Sequence, residues 1–261
     1  MLHIEANGIR LHYRIDGPED GRPLLLSNSL ASNLHMWDPQ ITDLTSAGFR
    51  VIRYDSRGHG QSDAPGGAYS IEMLADDAVA LLDGIGIDTA DYCGLSKGGM
   101  VGQMLGVRHR NRVKKLILAD TSAHMPTKEM WDGRVRTVEK GGMAAVVDAT
   151  IERWFTPASQ LRLKQDIDTV REMIFGTPPQ GFIGCCRAIQ AMDQRETIGG
   201  IDTPTLVIVG ADDPATTPEH ARVIHGLIKR SLFVEIPEAA HFSNYEQPAA
   251  FTKEMLKFLN T

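Results

Sequence analysis

Three well-separated positions in the sequence could together carry nucleophilic acyl transfer. The first is the run Gly94-Leu95-Ser96-Lys97-Gly98. A serine with glycine two residues to either side suits a sharp turn from a strand into a helix. The backbone at the serine is strained there, and only glycine-sized neighbours let the turn close. Such a turn lifts the Ser96 Oγ above a sheet, at a helix N-terminus where backbone N–H groups, that of Lys97 among them, can receive an oxyanion. A serine hydroxyl is a weak nucleophile, so it needs a base, and the base needs an orienting acid. Candidates follow in chain order: Asp212-Asp213 ahead of Pro214, and His241 after Pro237-Glu238-Ala239-Ala240. Each has an ordinary alternative. Ser96 could cap a helix in a glycine-rich turn, the aspartates could shape a turn before proline, and His241 could be a packed loop histidine. The order nucleophile, acid, base, each at the end of an apolar run, favours the catalytic reading of the set.

These residues need elements to carry them. Residues 2–6 and 9–15 read as a hairpin closed by Asn7-Gly8, both tolerant of positive φ. Short apolar runs at 24–26, 49–54, 90–94, 113–119, 204–210 and 232–236 read as strands. Helical periods occur at 70–85, 97–109, 218–228 and 248–259, with Ser70 able to cap the first. Strands this apolar, alternating with helices, predict an α/β fold with a mostly parallel twisted sheet flanked by helices. In such sheets ligands lie beyond the carboxyl ends of the strands, where Ser96, Asp213 and His241 fall. The alternation stops between 121 and 194, where the pattern is mainly helical with breaks at Gly141-Gly142 and Thr177-Pro178-Pro179. The expected organisation is therefore one core, residues 1–120 and 195–261, interrupted by a helical cap, residues 121–194.

Composition narrows the classes. The chain has 261 residues, 42% hydrophobic and 23% charged, enough for a substantial core and unlike a disordered chain. Its 27 Lys+Arg against 33 Asp+Glu leave a net charge of −6, which argues against a nucleic-acid or anionic-membrane partner. Three cysteines without Cys-x-x-Cys spacing support neither a disulfide scaffold nor a thiolate metal cage. No metal or organic cofactor is needed for the chemistry above. The first residues show no basic stretch followed by an apolar one, and no uncharged apolar run reaches the ~18 residues of a membrane helix, so a cytoplasmic protein is expected.

With Gly94-Leu95-Ser96-Lys97-Gly98 and Tyr54-Asp55-Ser56-Arg57-Gly58-His59-Gly60-Gln61-Ser62, the chain resembles the α/β-hydrolase superfamily over essentially its full length. The resemblance makes Arg57, His59 and Ser62 structural. It puts the acid in a Gly-x-x-Asp turn, which selects Asp213 over Asp212, and matches Ala240-His241-Phe242 to the histidine loop. A narrower pattern is similar to the 3-oxoadipate enol-lactonases: Leu26-Ser27-Asn28-Ser29-Leu30 with Met36-Trp37 downstream, His12-Tyr13-Arg14, Arg53-Tyr54-Asp55, and His241-Phe242-Ser243-Asn244 ahead of Glu246. It implies Ser96 as nucleophile, His241 as base, Asp213 as acid, and Leu30 and Lys97 as oxyanion-hole donors. It also implies opening of a small lactone, 3-oxoadipate enol-lactone to 3-oxoadipate. The same residues would serve a carboxylesterase, a perhydrolase, a carbon–carbon bond hydrolase or, without turnover, a receptor-like binding protein. The partner is then a small lactone or ester, in one reading carboxylate-bearing; oligomeric state is not legible.

Two features modulate that expectation. Lys97 stands where the family usually has an uncharged residue. Its side chain is expected to be solvated and turned away, because a bare buried ammonium is costly. The alternative is a cation near the nucleophile that draws in an anionic substrate or lowers the His241 pKa. In the cap, Trp131 and Arg134 lie three apart, and Trp154 follows later. Aromatics can shape a pocket and an arginine can grip a carboxylate, so these three are the substrate-binding candidates. The competing reading is a packing stripe of Trp131, Val135 and Val138. The pair Cys185-Cys186 reads as interior filler.

Overall fold

The computed structural model describes residues 2–261. Eight strands form one sheet in the order β1-β2-β4-β3-β5-β6-β7-β8. They are β1 (Leu2–Ala6), β2 (Ile9–Asp16), β3 (Arg22–Ser27), β4 (Phe49–Tyr54), β5 (Ala90–Leu95), β6 (Val113–Ala119), β7 (Thr205–Gly210) and β8 (Ser231–Ile236). From β4 through β8 every neighbouring pair is parallel, while β1 and β2 form an antiparallel hairpin that meets β4 antiparallel. Asn7 and Gly8 turn that hairpin with φ of 48° and 76°. The expected α/β sheet is thus present, with boundaries shifted by a residue or two at several ends.

The central strands β5 and β7 are buried at every position, as parallel strands covered on both faces must be. The edge strands β1 and β8 are partly exposed. The flanking helices include α1 (Asp38–Ser46), α2 (Ile71–Gly84) and α3 (Lys97–Arg108). Ser70 caps α2 by accepting from the Met73 amide at 3.1 Å. Helix α1 has no counterpart among the expected elements; its Pro39 sits in the first helical turn, where a missing N–H costs nothing.

After β6 the chain leaves the sheet for α4 (Lys128–Gly141), α5 (Val147–Trp154), α6 (Pro157–Arg162), α7 (Lys164–Phe175) and α8 (Pro179–Ala191), and returns at β7. Gly142, at φ 63°, ends α4, and Pro178-Pro179 separates α7 from α8. Helix α8 meets the loop after β4 backbone to backbone: a Cβ on Gly181 would strike Gly58, itself at φ 78°. The chain then runs through α9 (Pro218–Leu227), β8, α10 (Ser243–Glu246) and α11 (Pro248–Leu259), the last packing beside α1. Among the described residues, no helix is long and apolar enough to cross a membrane.

Candidate active site

Strand β5 ends in a sharp turn at Ser96. Ser96 sits at φ 57° and ψ −113°, a conformation that side chains other than glycine rarely adopt. Its backbone is pinned from both sides. The Ser96 amide donates to Ala119 O at 2.9 Å, and Thr121 Oγ1 donates to Ser96 O at 2.7 Å. Glycine is required at both flanks, since a Cβ on Gly94 would meet Gly98 O and one on Gly98 would meet Ser27 O. Lys97 opens α3, so its amide belongs to the first turn, whose N–H groups have no partner within the helix.

The turn after β7 brings Asp213 to His241. His241 Nδ1 lies 2.8 Å from Asp213 Oδ2. The same oxygen accepts from Thr216 Oγ1 at 2.8 Å, and Oδ1 accepts from the amides of Ala215 at 2.7 Å and Thr216 at 3.0 Å. The carboxylate is therefore buried yet fully supplied with donors, and it fixes which imidazole nitrogen faces it. Asp212 is exposed. A Cβ on Gly210 would collide with Ala240 O, so close approach of the β7 and β8 ends depends on that glycine. Asp120, just past β6, accepts from the Gly210 amide at 2.8 Å and from Ser243 Oγ at 2.5 Å, tying the ends of β6 and β7 to α10. Burial first, and then the nearby Asp213 carboxylate, push the Asp120 pKa well above the usual carboxylate range.

Ser96 and His241 border one cavity of about 300 Å³, together with Leu30 from the loop after β3. Among the described residues no hydrogen bond joins Ser96 Oγ to His241, whose Nδ1 is taken by Asp213. Ala31 reverses the loop at φ 62°, and its amide donates to His59 Nε2 at 3.0 Å. His59 Nδ1 donates in turn to Arg57 O at 3.1 Å. That assignment fits a neutral ring. Burial, and secondarily Lys97, hold the His59 pKa well below its usual value. Arg57 forks onto Asp77 at 2.6 and 2.8 Å, and Ser62 Oγ donates to Asp55 O at 2.6 Å.

The inserted helices form the other wall. Trp131, Arg134 and Trp154 all line the cavity. The Arg134 guanidinium lies 4.6 Å from the Trp131 ring centroid. Trp154 stacks on Phe242 at 4.3 Å, with its ring 6.4 Å from His241. Arg153, which the sequence reading did not single out, lines the same wall. Its hydrogen bond is to the neutral Thr150 Oγ1 at 3.1 Å, and burial with the neighbouring Arg134 charge pushes its pKa down to about 10. Burial lowers Arg134 too. Neither guanidinium has a salt-bridge partner among the described residues. The signal for Arg153 was its place beside Trp154 on a helix already assigned to the cap.

Lys97 corrects the sequence reading. Its side chain is neither solvated nor in the cavity. It is 1% exposed, and its Nζ donates to Ser56 Oγ. The ammonium is tolerated because a hydroxyl reaches it, and burial lowers its pKa. The cations facing the cavity are Arg134 and Arg153, not Arg134 and Lys97.

Comparison with known proteins agrees with this architecture. The family model described as the alpha/beta hydrolase fold matches residues 22–142 and 165–248. The chain is 36% identical to 3-oxoadipate enol-lactonase 2 of Acinetobacter baylyi, over 95% of this chain and 92% of that one. It is 34% identical to 3-oxoadipate enol-lactonase 1 of the same organism, over 100% and 97%. Among solved structures, the enol-lactonase from Burkholderia xenovorans LB400 is 40% identical and superposes with a TM-score of 0.97 over the whole of both chains. Sheet order, the strained turn at Ser96 and full-length similarity converge, and the chain belongs to the alpha/beta hydrolase fold family.

Proposed function

We propose that this hydrolase opens a small lactone carrying a carboxylate, 3-oxoadipate enol-lactone being the substrate that its relatives' names suggest, and releases 3-oxoadipate. The observation that carries the reading is the pair Arg134 and Arg153: two half-buried guanidiniums without an acidic partner, lining the cavity that Ser96 and His241 also border. Partly desolvated cations without a partner carry a cost, and an anionic ligand would offset it.

In this mechanism His241 Nε2 takes the proton of Ser96 Oγ as the oxygen attacks the lactone carbonyl. Asp213 holds the imidazole through Nδ1 and stabilises the imidazolium. The Leu30 and Lys97 amides receive the oxyanion, each worth ~3 kcal/mol to the transition state. Collapse expels the ring oxygen as an enol, protonated by His241, which tautomerises to the ketone while still tethered to the acyl group. His241 then activates water to hydrolyse the acyl-enzyme. No step calls on a metal or organic cofactor. Residues 121–194 act as a cap over a core of 1–120 and 195–261, and Trp131 and Trp154 shape its inner wall. The reaction belongs to cytoplasmic breakdown of aromatic compounds.

Ser96→Ala should abolish turnover and labelling by a fluorophosphonate. Arg134→Met and Arg153→Met should each raise KM for the carboxylate-bearing lactone by about tenfold or more, while a neutral aryl ester changes less than about twofold. Equal losses on both substrates would overturn the anionic reading and leave a general carboxylesterase.

A further inference from the structure

Lys97 is a buried cation that the mechanism above uses only through its backbone. Its ammonium has three donors, and Ser56 Oγ is the partner that takes one of them. A methionine of similar reach would fill the same space without burying a charge. What Nζ touches therefore bears on why a lysine is there.

Ser56 Oγ, holding the Lys97 ammonium, donates to Asn28 Oδ1 at 2.9 Å, and the Ser56 amide donates to the same oxygen at 3.2 Å. Asn28 Nδ2 then donates to Ser29 O at 3.1 Å and Ser32 O at 2.8 Å. Those two carbonyls bracket Leu30. All four hydrogen-bonding positions of the Asn28 side chain are occupied, so it can hold the turn in one arrangement only. The chain of contacts thus starts at the side chain of one oxyanion donor residue and ends on the turn that carries the other.

We propose that the Lys97 side chain is a positioning residue that couples the two halves of the oxyanion hole, fixing the 29–32 turn to the N-terminus of α3 through Ser56 and Asn28. The proposal rests on the acyl-transfer reading above. Two donors on separate loops hold one developing charge only if their spacing is fixed before reaction, since placement errors near 1 Å cost about a hundredfold in rate. The coupling leaves ground-state binding alone, because neither Lys97 Nζ nor Asn28 borders the cavity.

The test uses Lys97→Met and Ser56→Ala, each normalised by fluorophosphonate titration of Ser96, so that misfolded protein does not count. Both should lower kcat on an aryl ester by about ten- to a hundredfold with KM within about twofold. Both should weaken a boronic acid, which forms a tetrahedral adduct on the serine, by a similar factor, while affinity for a simple carboxylate product stays put. The double variant should be no worse than the poorer single one, because both cut the same chain of contacts. Unchanged kcat per titrated site and unchanged boronic-acid affinity would overturn the proposal, and if Lys97→Met fails to fold, Ser56→Ala decides alone. Failure of the wild type to label at Ser96 would instead overturn the acyl-transfer reading.

Discussion

Thr216 Oγ1 stands 2.8 Å from Asp213 Oδ2 and 3.1 Å from His241 Nδ1, so one hydroxyl steadies both side chains. This arrangement predicts a sharp contrast between adjacent acids. Asp213→Asn should cut kcat by about 10⁴-fold with little loss of stability, because an amide favours the wrong imidazole tautomer. Asp212→Asn, at an exposed side chain, should stay within about twofold; steady-state kinetics on one ester decides both. The placement of Ser96, Asp213 and His241 beyond the strand ends is legible in the sequence because each follows an apolar run, where the type of residue and its spacing carry the signal. Thr216, Arg153 and Asn28 were not, since their roles come from neighbours 25, 19 and 28 residues away. Lys97 was read as solvated because sequence supplies the cost of burying an ammonium but not the hydroxyl that lessens it.

At the scale of elements, two loops hold the site, and each has its own test. His59 is kept neutral by burial and accepts the Ala31 amide through Nε2, an acceptor that protonation would remove. The unfolded chain binds a proton below the ordinary histidine pKa of about 6.5 and the folded chain does not, so stability should fall as pH drops below that value, by up to about 1.4 kcal/mol per pH unit. His59→Asn should flatten that slope by one proton, measured from urea midpoints across pH. Between β7 and β8, Gly210→Ala should cost about 1–3 kcal/mol, because its Cβ meets the backbone oxygen of Ala240, and should lower kcat by displacing the histidine loop. Unchanged stability in Gly210→Ala would show that the strand ends have room to part. Most strands and core helices were legible because their apolar periods are strong. Helix α1 is not legible because its apolar period is weak: of its nine residues only Gln40 and Leu44 are buried.

Across the whole molecule, the inserted helices are fastened to the sheet at two places. Gly58 and Gly181 touch backbone to backbone on one side. On the other, the fully buried Glu246 accepts from the Thr156 amide at 2.8 Å and Thr156 Oγ1 at 2.9 Å through one oxygen, and from the Ala240 amide through the other. Glu246→Gln replaces one of those acceptors with a donor facing a donor. It should lower Tm by about 4–8 °C and reduce kcat more than it raises KM, measured by calorimetry and ester kinetics. An unchanged Tm would mean that the insertion is held elsewhere.

That second fastening also joins roof and base through a backbone bond: the Phe242 amide donates to Trp154 O at 2.9 Å, directly beside His241. A displacement of α5 would therefore pull on the peptide that carries the imidazole. The wall that bears Arg153 and Trp154 and the loop that bears His241 share one hydrogen bond, so a substitution that shifts either is felt at the other.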